Sequence, residues 1–283
     1  MNTTSDYQIS TASRAEVDIA VDWAAAEGWN PGLGDAEAYY RADPSGFLIG
    51  RLHGEPVATI SAVRYGDFGF MGFYIVRPAE RGRGLGIAIW NAALRHLEGC
   101  TVGLDGVVAQ QDNYRKSGFA LAFNNARYEG QAEADLAPDP NVIELSTLPV
   151  GAVMEYDRAF FPAERRAFLR HWITQPGAVA LGLRAGDSLA GYGVIRPCRT
   201  GSKIGPLYAD RPGGADALFR ALAARVPAGS AIYLDVPEVN RAAVSLAESH
   251  GMRPVFQTAR MYAGAEPPLP RERMFGITSF EVG

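Results

Sequence analysis

Four short segments recur in the same order along this chain. Leu48-Ile49-Gly50-Arg51-Leu52-His53-Gly54-Glu55 is echoed by Ala180-Leu181-Gly182-Leu183-Arg184-Ala185-Gly186-Asp187, and Leu104-Asp105 by Leu234-Asp235. Gly118-Phe119 is echoed by Gly251-Met252, and Ala126-Arg127 by Ala259-Arg260. One shared dipeptide is chance; an ordered series at nearly constant offset predicts a tandem repeat of one domain. A length of 283 residues leaves room for two modest domains, and 47% hydrophobic residues supply a core for each. Residues 130–141, rich in Ala, Asp, Glu and Pro, read as the linker. The division is therefore 1–134 and 135–283.

Bulk properties narrow the function. A net charge of −4 argues against an electrostatic nucleic-acid binder. Cys100 and Cys198 sit in no ligand spacing, so neither a disulfide framework nor a metal site is expected. The first ten residues carry no apolar signal core, and no apolar run reaches the roughly 18 residues of a membrane span. These point to a soluble cytoplasmic protein without a metal, a membrane or a nucleic-acid partner.

The stretch Phe70 to Trp90 carries the chemistry. An apolar run, Phe70 to Val76, stops at Arg77-Pro78. Gly82, Gly84 and Gly86 follow on alternate positions, and then Ile87, Trp90, Ala93, Leu94 and Leu97 fall at helical spacing. The pattern is strand, glycine loop, helix N-terminus. A first helical turn leaves backbone N–H groups unpaired at the positive end of the dipole. Glycines let that backbone approach a ligand, and phosphate is the natural guest. Arg81 and Arg83 add charge. An ordinary glycine-rich turn is the alternative. The spacing is neither that of a P-loop nor that of the dinucleotide fingerprint.

Val76-Arg77-Pro78 followed by Arg81-Gly82-Arg83-Gly84-Leu85-Gly86 resembles the acetyl-CoA motif of the GNAT acetyltransferase superfamily, Arg/Gln-x-x-Gly-x-Gly/Ala, at every fixed position. The resemblance implies that loop amides from Arg81 to Gly86 hold the coenzyme diphosphate. It also implies that Tyr74, Ile75 and Val76 pair their backbone with the pantetheine arm. The implied fold is α/β (α+β): two tandem GNAT-like domains, each a mixed, mostly antiparallel sheet flanked by helices. The order read along the front copy is helix, helix, three strands, helix, strand, helix, strand, as that fold expects.

Tyr114-Arg115-Lys116-Ser117-Gly118-Phe119 is similar to the family's Tyr-x-x-x-Gly-Phe, which implies Tyr114 as general acid at the thioester sulfur. A tyrosine packing on a helix is the alternative. One departure stands out. The family's Asn about seven residues earlier is Val107 here, leaving Gln110, Gln111 or Asn113 to replace it; the rear copy keeps Asn240. The rear copy also has Ala247 in place of the tyrosine, and its loop, Asp210-Arg211-Pro212-Gly213-Gly214-Ala215-Asp216, lacks the motif. Acid near the phosphate site repels, so the rear copy is expected to be degenerate and the front copy catalytic. The last residues, Phe275 to Phe280, are expected to pack back as a strand.

Acyl transfer to an amine requires a proton acceptor, since a Lys-like amine of pKa about 10.4 is almost wholly charged at neutral pH. The central strand offers no carboxylate or imidazole. Glu27, Asp35, His53, Asp112 and a water wire remain open as the base, and Glu27 and Trp29 are assigned to the amine pocket. The resulting expectation is an acetyl-CoA-dependent N-acetyltransferase acting on a small-molecule amine. A non-catalytic acyl-CoA-binding protein and a protein N-acetyltransferase are the alternatives. The oligomeric state is left open, and a duplicated chain can be a monomer.

Overall fold

The computed structural model describes residues 6–133 and 139–283. The front copy runs β1 (Tyr7–Thr11), α1 (Arg14–Ala26), α2 (Asp35–Ala42), β2 (Phe47–Leu52), β3 (Glu55–Tyr65), β4 (Phe68–Val76), α3 (Leu85–His96), β5 (Thr101–Val107), α4 (Gln111–Lys116) and β6 (Ala120–Gln131). The rear copy runs β7 (Val142–Glu144), α5 (Val150–Asp157), α6 (Arg166–Trp172), β8 (Val179–Ala185), β9 (Ser188–Pro197), β10 (Ser202–Ala209), α7 (Pro212–Ala223), β11 (Ala231–Pro237), α8 (Arg241–Ser249) and β12 (Arg253–Ala263). A last strand, β13 (Met274–Gly276), follows. The helix starts follow local chemistry: at Ser13 both the N–H and the hydroxyl donate to the Glu16 carboxylate, 2.8 Å each.

The described strands form one mixed sheet in the order β1-β2-β3-β4-β5-β12-β6-β11-β10-β9-β8-β7, with β13 attached to β10. Neighbours run antiparallel except β4 with β5 and β10 with β11. The two copies exchange their last strands: β6 pairs with β11, β12 pairs with β5, and β6 and β12 meet at the centre. The repeat dipeptides mark this exchange. Asp105 lies opposite Arg260, and Asp235 opposite Arg127. Arg260 Nε and Nη2 donate to Asp105 at 2.7 and 2.6 Å, and Arg127 Nε and Nη2 donate to Asp235 at 2.6 and 2.8 Å. Each is a buried two-pronged pair. The junction between 134 and 135 lies outside the described residues. Either side of it, neither copy's sheet is complete without the other's final strand.

Each parallel pair opens as a fork. β4 and β5 are bonded only along Phe68–Met71 against Thr101–Leu104. Beyond that, β4 carries an extra residue between Gly72 and Ile75, which pair with Ser61 and Thr59 of β3; with Phe73 at φ 47°, this bulge turns β4 away, and β5 pairs with β12. β10 and β11 pair only along Ser202–Ile204 against Ile232–Leu234.

The rear fork is filled by the chain's own tail. β13 pairs with Leu207 and Tyr208 of β10, and Ile277 N–H donates to the Asp235 carbonyl of β11 at 2.9 Å. The Asn240 amide donates to the Glu272 and Met274 carbonyls at 3.2 and 2.9 Å. The tail strand thus ends at Gly276, short of the Phe280 limit expected from sequence, because the next residues cross to the front copy. There the Glu281 carbonyl accepts from Ser61 Oγ (3.1 Å) and the Val282 carbonyl from the Tyr65 hydroxyl (3.1 Å), while the Gly283 carbonyl accepts from Arg165 Nη1 of the rear copy (3.0 Å). Gly72 makes this crossing possible, since a Cβ there would lie 2.2 Å from the Glu281 carbonyl oxygen.

Candidate active site

The front fork holds a cavity of about 610 Å³. Its walls are Met71 to Val76 of β4 and Leu104 to Val107 of β5. Glu80, Arg81, Gly82, Gly84 and Gly86 contribute from the loop, Ile87 and Trp90 from α3. Glu27, Trp29, Gln110 and Tyr114 complete the front copy's share, while Phe256, Thr258, Phe280 and Glu281 come from the rear copy's last strand and the tail.

The glycine loop has the form its sequence predicts. Gly84 caps α3 at φ 81°, a conformation that favours glycine. Gly86 admits the Tyr74 ring, whose hydroxyl would be 2.7 Å from a Cβ at that position. Among the described residues, nothing accepts a hydrogen bond from the N–H groups of Gly82 through Ile87. Such a run of free donors on a helix end is suited to an anion. Arg81 Nε donates to the Val76 carbonyl (2.9 Å), and its Nη2 donates to Glu27 (2.5 Å).

Tyr114 lines the same cavity, 8% exposed. Its ring stacks on Trp90, centroids 5.6 Å apart, and sits where a Cβ at Gly106 would lie 2.2 Å from it. Burial, with the nearby Tyr74 phenol, pushes its pKa up to about 12, so the hydroxyl stays protonated. No hydrogen bond within the described chain uses that hydroxyl. Burial also raises Tyr74.

Of the residues singled out in the sequence, Tyr74, Ile75, Val76, Arg81, Gly82, Gly84, Gly86, Tyr114, Glu27 and Trp29 meet at this cavity. Arg83, Leu85 and Asn113 are not in its lining. Arg83 is ion-paired with Glu80, Leu85 faces inward onto Leu52 and Val57, and Asn113 donates to Gln110 Oε1 at 2.7 Å. Gln110 lines the cavity in its place. Glu27 is a lining residue whose carboxylate is taken by Arg81. The Trp29 carbonyl accepts from Arg127 Nη1 at 2.5 Å, which ties the pocket to the exchanged strands.

The other base candidates lie elsewhere. Asp35 is buried against Arg196, His53 sits in the exposed β2–β3 turn beside Asp6, and Asp112 is exposed beside Arg115. Glu281, which sequence reasoning passed over, is 3% exposed and lines the cavity. Its only sequence signal is a lone carboxylate inside the apolar tail, at Phe280-Glu281-Val282. Among the described residues no group of three or more His, Cys, Asp or Glu side chains is placed to hold a metal ion, and no helix is long and apolar enough to cross a membrane.

Comparison with known proteins fits this geometry. An acetyltransferase (GNAT) family model matches residues 15–120, and a second acetyltransferase (GNAT) domain model matches residues 153–276. The holothin acyltransferase of Pseudoalteromonas sp. (strain SANK 73390) is 33% identical over 273 residues, covering 96% of this chain and 93% of that protein. The chain is a tandem GNAT-family acyltransferase. A Pyrococcus horikoshii protein crystallised as a candidate acetyltransferase shares the fold at TM-score 0.84 and 24% identity, covering 99% of this chain and 96% of its own. A tandem GNAT protein from the clavulanic acid biosynthesis pathway shares it at TM-score 0.62 and 15% identity, covering 92% and 100%.

The two GNAT copies have diverged at equivalent places. Where the front fork is open, the rear one is packed with β13, and Asn240 bonds the tail backbone. Asp210, the first residue of the rear loop, accepts from Tyr156 (2.8 Å) and from Arg273 (2.5 Å). The paired aspartates diverge as well. Burial raises Asp105, with Asp235 and Glu281 adding to it against the pull of Arg260. Burial also acts on Asp235, but Arg127, Lys203 and Arg196 outweigh it and hold that carboxyl below its usual range.

Proposed function

We propose that the protein transfers an acetyl group from acetyl-CoA to a primary amine of a small molecule, by direct attack in the front cavity. The division we infer is a catalytic copy over 1–134 and a degenerate copy with its tail over 135–283. The loop amides from Gly82 to Ile87 and Arg81 would hold the coenzyme diphosphate, and Tyr74 to Val76 its pantetheine arm. Arg81 would exchange or share its contact with Glu27.

Tyr114 donates a hydrogen bond to the sulfur as charge develops there. The nitrogen–carbon bond forms, the carbon–sulfur bond breaks, and the thiol leaves with a proton that the amine has given up. The observation that most supports this is the placement of an unused, protonated phenol in the same cavity as the residues Gly82, Gly84, Gly86 and Ile87, whose backbone N–H groups are free. Trp29, Phe256 and Phe280 crowd the remaining space, which favours a small acceptor over a polypeptide. Both cysteines are free thiols, which supports a cytoplasmic setting.

The test is thiol release from acetyl-CoA across a panel of primary amines. Turnover of at least one amine is the expected result. A protein that binds acetyl-CoA yet releases thiol with none of them would be an acyl-CoA-binding protein instead.

A further inference from the structure

Four carboxylates are buried in this molecule together with a guanidinium each: Asp35 with Arg196, Asp105 with Arg260, Asp157 with Arg165 and Asp235 with Arg127. Glu281 is equally buried and is the exception among the described residues. No Lys, Arg or His nitrogen lies within ion-pair distance, 4.0 Å, of its carboxylate.

Its Oε2 accepts from Ser279 Oγ at 2.7 Å and lies 3.1 Å from the Tyr39 phenol, whose one proton is shared with Asp35 Oδ2, also at 3.1 Å. The Ser279 oxygen in turn accepts from the N–H groups of Glu281 (3.0 Å) and Val282 (3.3 Å). No hydrogen bond uses Oε1, and the residue lines the cavity. Around it stand Tyr39 and Asp35 on α2, Asp105 on β5, Arg127 on β6 and Lys203 on β10. Arg127 and Lys203 stand beyond ion-pair distance, and a buried carboxylate with no cation in contact is stabilised by one that enters the cavity.

We propose that Glu281, carried from the rear copy through its filled fork into the front cavity, is the catalytic carboxylate that receives the acceptor's ammonium and takes up its proton. This rests on the amine-transfer reading of that cavity. The balance is simple. The ammonium gives one proton to Glu281 and thence to solvent, the free amine attacks the thioester carbonyl, and its second proton leaves with the thiol. The working site then belongs to both copies, although only one holds the coenzyme.

The experiment uses the full chain with acetyl-CoA and two acceptors. Benzylamine arrives as an ammonium; aniline, weakly basic, arrives neutral. Glu281→Gln keeps the size of the side chain and its hydrogen bonds to Ser279 and Tyr39. With benzylamine, kcat/KM is expected to fall by about 100-fold or more, the scale of a lost proton acceptor. With aniline it should fall by less than about 5-fold, since a neutral nucleophile needs neither counter-ion nor prior proton removal. Acetyl-CoA affinity and the melting temperature should stay at wild-type values.

Equal losses with both amines would mean a structural role and overturn the proposal, as would no loss with either. If neither is turned over, the comparison is made with an alkyl and an aryl amine that the panel shows to be accepted; a wild type idle with every amine of the panel overturns the amine-transfer reading itself, a different outcome. If Glu281→Gln does not fold, Ser279→Ala keeps the charge but frees its orientation, and the same preferential loss with benzylamine is expected; equal losses would again overturn it.

Discussion

Tyr114→Phe is expected to lower kcat by about two to three orders of magnitude while leaving the affinity for acetyl-CoA within a few-fold, the effect of removing one preorganised donor from a developing anion. The ring stays in place: Trp90 stacks on it, and the space beside Gly106 is shaped for it. Only the hydroxyl is lost. Its raised pKa, about 12, fixes what that hydroxyl can do. A thiol of pKa about 8.5 is a stronger acid by roughly 3.5 units, or about 5 kcal/mol, so the phenol cannot hand its proton downhill to a free thiolate. In the proposed reaction it would act by hydrogen bonding to the sulfur as charge appears, with the proton moving only as the amine supplies another.

The sign with pH follows. A phenol with its pKa near 12 is protonated throughout the working range, so the Tyr114→Phe loss should be the same at pH 6, 8 and 10. Steady-state rates of thiol release at those pH values check this. A variant with wild-type kcat would remove Tyr114 from the mechanism.

Arg127→Ala should destabilise the fold by about 3–5 kcal/mol, the scale for stranding one partner of a buried ion pair. Arg127 holds Asp235 through two bonds across the exchanged strands, bonds the Trp29 carbonyl, and lies 5.0 Å from the Phe280 ring centroid. Its loss leaves Asp235 buried without its two-pronged partner. The double variant Arg127→Met, Asp235→Leu removes both charges together and should recover most of that stability, because desolvating the pair offsets much of its attraction. Urea unfolding of the three proteins measures this. An Arg127→Ala variant within about 0.5 kcal/mol of wild type, the usual range for a neutral surface change, would show that the exchanged-strand pair does not hold the halves together.

The glycine loop, the helix after it and Tyr114 were legible because each is a local pattern with fixed spacing. The duplication was legible because both copies keep the same Asp and Arg positions. The exchange of last strands was not. Asp105 facing Arg127 and Asp105 facing Arg260 satisfy the same repeat, so one pattern describes two pairings. β1 was missed because Tyr7 and Ile9 give too short an alternation, and its strand character comes from pairing with β2.

At the site, Leu85 lies within the motif but faces the core, onto Leu52 and Val57, since one side of a helix start must do so, and the exposed Arg83 before it is paired with Glu80. Asn113 stands on the exposed side of a six-residue helix. Glu281 was invisible for a different reason. Its neighbours in the fold, Tyr39 and Ser61, are more than 200 residues distant in sequence, and nothing local to the tail reports them.

The central claim is that this duplicated chain binds one acyl-CoA, in the front fork only. A crystal structure with acetyl-CoA tests it most directly. The account predicts the diphosphate on the amides of Gly82 to Ile87, the acyl sulfur beside Tyr114, and the rear fork still filled by residues 274–276. Coenzyme lodged against Arg211 to Asp216, with the tail strand displaced, would contradict it.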